Sequence, residues 1–280
     1  MIAAAFRAAC ATELAALKPG NVHVDAAGHG MTAADFLRSA EVAAEPLCRA
    51  GAALGARVLG AVAATRAAVG QNTNLGILLL CAPLAMAAER GGELRASLAG
   101  VLDRADVADA DAVFRAIVLA APGGLGAAPR HDVRDPATVP LRAAMAAAAG
   151  RDSIARQYAS DFALVFAAGV PAHAGALARG WPAPWAAVAV YLGFLAALPD
   201  SHVLRRHGAA TAARLQAEAE PLRGRLTAAA HPAALRPDLL AFDAALKRQG
   251  INPGTSADLT VASIFAHDLI GGLRSAAPDG

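Results

Sequence analysis

Long alanine-rich runs, broken by short clusters of glycine, proline and asparagine, constrain this chain more than any other feature of it. Alanine is the strongest helix former because it has no side-chain entropy to lose, and its small size lets neighbouring helices approach closely. Val and Ile occur mainly as single residues rather than in alternating strings, and aromatics are 4% of the chain, so sheet formers are scarce. With 280 residues, 56% of them hydrophobic, the chain can bury one large core. The expected fold is all-α, a single-domain multi-helix bundle over residues 1–280, with no internal repeat and no low-complexity linker to divide it.

Charge and cysteine usage remove several function classes. The formal net charge is +2, and no basic tract with interleaved aromatics stands out, so nucleic-acid binding is not expected. Cys10, Cys48 and Cys81 are widely separated and match neither a metal spacing nor a disulfide framework, which fits a reducing cytoplasm. Glu13 and Lys18 interrupt the apolar N-terminus before a signal sequence develops. Ala163–Trp181 is the nearest approach to a membrane span, but Pro171, His173 and Arg179 lie within it, and no membrane partner is expected.

Turn and cap residues divide the chain into helices. Ile2 to Leu17 ends at Lys18-Pro19-Gly20-Asn21, and Thr32 with Asp35 three residues on forms a capping-box pattern. Pro46 is expected to begin a helix reaching Val69, and Pro83 to kink or bound the helix from Asn74 to Ala88. Helices are also expected over Glu93–Ala99, Arg104–Ala120, Leu141–Ala149, Arg151–Ala168, Pro184–Leu198, Ala209–Ala230 and Pro232–Gln249. A final apolar helix, capped by Asn252 to Leu259, should reach about Leu269, with fraying from Gly271. Pro122 to Pro140 is the longest non-helical stretch, the length of an active-site loop or a disordered one.

Four polar junctions stand out against the alanine: Lys18 to Asp25, Gly70 to Gly76, Asp200 to Gly208, and Asn252 to Asp258. Each lies at a helix boundary, where free backbone N–H groups favour an anion. Together they offer a phosphate cradle, carboxylates for a divalent ion and basic groups for a polyphosphate; taken singly, each is equally an ordinary capped loop. His23 and His29 read as surface-loop histidines, since no H-x-x-x-H or HExxH pattern occurs. Gly123-Gly124-Leu125-Gly126 lacks the Gly-Lys-Ser/Thr of a Walker A loop and the preceding strand of a dinucleotide fingerprint. Asp152 reads as a cap or an ion-pair partner on its helix.

The motifs together resemble the triphosphoribosyl-dephospho-CoA synthase family. They are Lys18-Pro19-Gly20-Asn21-Val22, Gly70-Gln71-Asn72-Thr73-Asn74-Leu75-Gly76, Asp200-Ser201-His202 and Asn252-Pro253-Gly254-Thr255-Ser256-Ala257-Asp258-Leu259. They occur in family order from about Glu13 to Phe265. The resemblance implies an all-α transferase that moves a triphosphoribosyl group from ATP to the 2′-hydroxyl of 3′-dephospho-CoA, releasing adenine. ATP is then a substrate, Mg²⁺ the implied cofactor, and a small phosphorylated acceptor the partner; a homodimer is compatible with this reading. By the same resemblance Lys18, Gly20 and Asn21 are phosphate contacts, and Asn72, Thr73 and Asn74 ribose or phosphate contacts. Arg205, His207 and Ser256 join the nucleotide-binding set. Asp25, Asp200 and Asp258 are the carboxylates for catalysis or for Mg²⁺, directly or through water, with Asp132 and Asp161 behind them.

Two departures accompany the resemblance. Asn74-Leu75 stands where members resemble His-Lys, and Asn21-Val22-His23 replaces Leu-Val-Asp. The chain thus resembles a divergent branch tied to one-carbon cofactors of the methanopterin or furan type, which makes a different acceptor the second reading. A non-catalytic helical nucleotide-binding or assembly protein is the third, and it predicts that the polar junctions do not converge or that their pocket binds no nucleotide.

Overall fold

The computed structural model describes the backbone of residues 1–276 and the side chains of residues 1–273. Among the described residues there are thirteen α-helices and no strand. In order they are α1 (Ile2–Ala15), α2 (Ala33–Leu47), α3 (Leu54–Val69), α4 (Leu75–Arg90), α5 (Leu94–Arg104), α6 (Val107–Ala120), α7 (Leu141–Ala148), α8 (Ser153–Ala159), α9 (Val170–Ala178), α10 (Ala183–Ala197), α11 (Ser201–Ala228), α12 (Arg236–Arg248) and α13 (Gly254–Ala276). A π-turn, Val165–Gly169, leads into α9, and a 3₁₀ turn, Pro232–Leu235, into α12.

The centre belongs to the helices that are apolar all round. Leu75 to Pro83 in α4 is buried without interruption, and α10 is nearly as enclosed. A helix with no polar face has to be surrounded by others. α13 packs on α1, α4, α9 and α10, while α2, α3 and α6 form an outer layer joined through α3 to α4. Arg57 in α3 is fully buried and donates from both terminal nitrogens to Glu89 of α4, at 2.7 Å each. Small residues set the spacing. A Cβ added at Gly55 would lie 2.6 Å from the Asp109 carbonyl oxygen, so α3 and α6 meet backbone to backbone there. Gly55 N–H also donates to the Asp109 carboxylate at 2.8 Å. No single helix among the described residues is long and apolar enough to cross a membrane.

The Thr32–Asp35 capping box forms as expected. Several boundaries differ. Pro46 lies inside the last turn of α2 rather than opening α3, because the break comes later, at Gly51 with φ +77°. Arg104 ends α5, and the acidic cluster after it supplies a second capping box, Asp106 with Asp109. The helix expected over Arg151–Ala168 breaks at Asp161 and Phe162, both at positive φ, and Phe162 turns into the core against Tyr158. α11 begins at Ser201 instead of Ala209, with Gly208 (φ 84°) as a non-helical break inside it. α13 continues past Gly271 to Ala276, so the expected fraying is not seen there, and residues 277–280 lie outside the described residues.

Gly55→Ala should force α3 and α6 apart and destabilise the fold by about 1–3 kcal/mol. Thermal unfolding of the variant should fall by several degrees, and an unchanged midpoint would show that the contact yields without cost.

Candidate active site

The N-termini of α4, α8, α11 and α13 border a cavity of about 910 Å³, which the 122–133 segment helps to line. This volume is at the upper end of ordinary small-molecule sites. One carboxylate organises much of the arrangement. Asp200 caps α11, its Oδ1 accepting from the N–H groups of His202 (2.9 Å) and Val203 (3.1 Å). Its Oδ2 accepts from the Ser256 N–H (2.7 Å) and Oγ (2.8 Å) in the first turn of α13. The next residue, Ser201, accepts from the Ser153 N–H of α8 at 2.8 Å. Three helix starts are therefore stitched together behind the cavity.

Asp258, one turn into α13, lines the cavity and makes no hydrogen bond or ion pair with any described residue. Its carboxylate lies against Gly76 in the first turn of α4, where an added Cβ would sit 2.0 Å from Oδ2. Only glycine fits that contact. The helix entrance that reads from sequence as an anion site is thus occupied on one side by the protein's own carboxylate. Burial, reinforced by Glu13 and Asp200 and opposed by Arg205 and Lys18, holds the Asp258 carboxyl well above the usual carboxylate range.

The Gly70–Gly76 loop is fixed by its own polar groups. Asn72 Oδ1 accepts from the Leu75 N–H at 3.1 Å, Asn74 Nδ2 donates to Thr65 Oγ1 at 3.2 Å, and the Thr73 and Ser39 hydroxyls pair at 2.6 Å. All three loop side chains, with Leu75, also border the cavity. Lys18 differs from its expected place as a phosphate contact. It is 0% exposed, off the cavity wall, and its Nζ donates to Glu13 Oε1 and to Asn21 Oδ1 (3.0 Å). Glu13 and Asn21 are the residues of that cluster which line the cavity. Asn21 Nδ2 in turn donates to Asn252 Oδ1 at 2.8 Å. Burial pushes Glu13 up and Lys18 down, each partly offset by the other.

Other expected residues stand apart from the cavity wall. Gly20 (φ +84°) gives its N–H to Asp243 Oδ1 at 2.8 Å, with Pro253 and Ile251 packed too close for any side chain. Asp25 is exposed and pairs with Arg236 at 3.1 Å. Asp200 and Ser256 are bonded to each other behind the wall. His23, expected on the surface, is 1% exposed and lies 3.3 Å from Asp243 Oδ2, next to Lys247. His29, exposed as expected, does border the cavity and bonds the Gly20 carbonyl at 2.8 Å.

The rest of the wall is largely apolar, with a group of basic side chains set into it. Arg66, Arg130, Arg151, Arg205 and Arg206 line the cavity, with His202 and His207. Arg205 Nη1 donates to Asp152 Oδ2 at 2.6 Å, while its buried Nε has no partner among the described residues. Asp152 also caps α8 through Oδ1, so it is both cap and ion-pair partner. Arg206 packs over Gly123 and Gly124, which brings the glycine-rich segment onto the start of α11. Asp132 uses both oxygens on backbone N–H groups, at Ala128 (2.6 Å) and Arg134 (3.0 Å), and Asp161 pairs with Arg142 off the cavity. Burial, with Arg205 and Arg206 adding to it, pushes the His202 imidazole down to about 4, so it is neutral beside these cations. Glu13, His202 and Asp152 are cavity residues that sequence reasoning did not select for the site. A signal was present for two of them: His202 within the Asp200-Ser201-His202 motif, and Glu13 just before Lys18.

The donor set does not fit the expected metal role. Asp25, Asp200 and Asp258 do not converge, and no cluster of three or more His, Cys, Asp or Glu suited to a metal occurs among the described residues. Asp258 alone of the three faces the cavity.

Fold and cavity together define, among the described residues, an all-helical fold with a large cavity at its helix N-termini that five arginines help to line. Residues 1–276 match the CitG family model, described as ATP:dephospho-CoA triphosphoribosyl transferase, and the chain belongs to that family. It is accordingly an enzyme of the transferase class, in a family whose donor is ATP and whose acceptor is dephospho-CoA. A crystal structure of a proposed triphosphoribosyl-dephospho-CoA synthase from Archaeoglobus fulgidus is similar, with a TM-score of 0.65 and 26% sequence identity. That match covers 84% of this chain and 98% of the other. Among curated protein sequences, none matches this chain.

His202 gives a pH test of the geometry. Its folded value lies below an ordinary histidine's value of about 6.5, so the unfolded chain takes up a proton first as pH falls. Stability that rests on neutral His202 is present above about pH 6.5 and is lost as pH falls towards about 4. His173, also pushed down to about 4 by burial, acts in the same direction; Glu13, Asp200 and Asp258 act in the opposite one. The His202→Gln variant should therefore lose less stability than the parent over that interval, and the His202 ring resonances should titrate near pH 4. A His202 midpoint near 6.5 would place the ring in solvent.

Proposed function

We propose that the cavity carries out the family reaction on its own walls, transferring triphosphoribose from ATP to the 2′-hydroxyl of 3′-dephospho-CoA with loss of adenine. The observation that supports this most is Asp258, a carboxyl without a bonded partner, set into the wall of a cavity that five arginines also line. Arg205, Arg206 and His207 hold the triphosphate, whose charge they complement, and Arg205 Nε has a donor to give. Asn72, Thr73 and Asn74 hold the entrance of α4 in shape beside the ribose. Positive charge gathers on the sugar as the C1′–N9 bond breaks, and the purine leaves more readily when protonated. A carboxyl held above the usual range can carry a proton near neutrality, and Asp258 delivers it to the departing base. Lys18 and Gly20 contribute from behind the wall, by fixing Glu13 and Asn21 and by shaping the loop.

Mg²⁺ belongs to this reading as an ion carried by the nucleotide's phosphates. Such an ion keeps most of its waters, and none of Asp25, Asp200 and Asp258 is assigned to it. We place the reaction in the cytoplasm, with its nucleotide substrates. Leu75 supports the second reading, a transferase for a pterin- or furan-type one-carbon cofactor. Its apolar side chain stands in the first turn of α4 on the cavity wall, where a different phosphorylated acceptor would meet it.

Asp258→Asn keeps the shape and removes the ionisable group. Adenine release from ATP in the presence of dephospho-CoA should fall by about 10²–10⁴-fold while ATP binding changes by only a few-fold. Asp25→Asn, on the far side of the loop, should turn over like the parent. Unaltered turnover by Asp258→Asn removes Asp258 from the chemistry. Turnover with a pterin-type acceptor and none with dephospho-CoA selects the second reading.

A further inference from the structure

We propose that Glu13 is the general base of the transfer, working with Asp258 on the wall of the same cavity; this role rests on the reaction proposed above. Glu13 is 3% exposed, and what surface it keeps borders the cavity. Its two oxygens are treated differently. Oε1 is held by Lys18 Nζ, Lys18 is held by Asn21, and Asn21 is held by Asn252. Oε2 accepts no hydrogen bond from any described residue. The carboxylates with purely architectural roles look different. Asp200 uses both oxygens on α11 and α13, and Asp132 uses both on its own loop. A carboxylate fixed at one oxygen and free at the other, on the wall of a substrate cavity, is arranged as a positioned base. Lys18 cannot reach a ligand, being fully enclosed, so its ammonium serves to hold Glu13 in place. It is a positioning residue.

The two carboxyls divide the work according to their surroundings. Burial raises Glu13 and strengthens it as a base relative to a solvated carboxylate, and the bonded Lys18 opposes that rise. Asp258 has no cation bonded to it and feels the Glu13 charge, so it retains its proton. In the transfer, Glu13 Oε2 takes the proton of the acceptor 2′-hydroxyl as that oxygen bonds to C1′ of the donor ribose. The C1′–N9 bond breaks, its electron pair goes to the purine, and Asp258 gives the purine a proton. Glu13 then holds one proton more and Asp258 one fewer, and exchange through water restores both.

The test uses the full chain with ATP and dephospho-CoA, following adenine release and, separately, ATP binding. For the parent, kcat/KM should rise with pH as Glu13 ionises and fall again as Asp258 does. Glu13→Gln should lower kcat by at least about 100-fold, leave ATP affinity within about threefold, and abolish the rising acid limb while the alkaline limb remains. Because that variant leaves Lys18 buried without a counter-ion, the double variant Glu13→Gln, Lys18→Met removes both charges. It should melt cooperatively and show the same loss. Either folded variant turning over within about threefold of the parent would overturn the role. A loss confined to ATP affinity, with the acid limb intact, would do so too by making the pair merely structural. A parent that releases no adenine from this substrate pair overturns the reaction of the preceding subsection, and this role with it. A parent that is active beside an active Glu13→Gln overturns this role alone.

Discussion

A single carboxylate behind the cavity, that of Asp200, makes the rest of the site possible. It is buried, which raises the energy of its charge, and it is compensated by three N–H donors and one hydroxyl drawn from two helices. Because those donors are the first turns of α11 and α13, satisfying them fixes where both helices begin. His202 and Arg205 on one helix and Asp258 on the other then project into the same space. Ser201 extends the stitch to α8, bringing Asp152 and its ion pair with Arg205. The side chains that line the cavity are thus held by the ends of rigid helices, whose positions are set in turn by buried polar bonds.

The alanine background is what gives these bonds their reach. Helices faced with small residues approach until their backbones touch, as α3 and α6 do at Gly55. The same closeness lets a carboxylate from α13 lie on the first turn of α4 at Gly76. A bulkier core would separate the helix ends and leave Asp258 in open solvent, where it would behave as an ordinary surface acid. Packing density and acidity are linked here through one hydrogen atom of one glycine.

Fold class was legible from composition and punctuation, because alanine propensity and the scarcity of β-formers act locally. The Thr32–Asp35 cap was legible for the same reason. Breaks without glycine or proline were not. Asp161 and Phe162 turn the chain at positive φ because Phe162 is drawn into the core, a tertiary gain with no local sign. Pro46 misled in the opposite sense, as a proline tolerated in a final helical turn. At the site, the polar junctions were visible as exceptions to the alanine pattern, but not which of their groups would face inward. Asp200 and Asp258 look alike in sequence, and only the partners of Asp200, 56 residues away at Ser256, separate their roles. Lys18 reads as a free cation until the chain folds back and buries it on Glu13. His23 reads as a surface residue until α12 supplies Asp243 to cover it.

The link from Asn21 to Asn252 joins positions 231 residues apart. On a ribosome, the first helix leaves the exit tunnel long before its partner is made. Glu13 and Lys18 therefore wait, with their eventual burial incomplete, until the start of α13 arrives and the Asn21–Asn252 link can form. Contacts of such sequence separation slow folding, since a long loop must be closed before they form. The nascent protein is in this sense inert by construction: a finished pocket exists only after the start of α13 has been made.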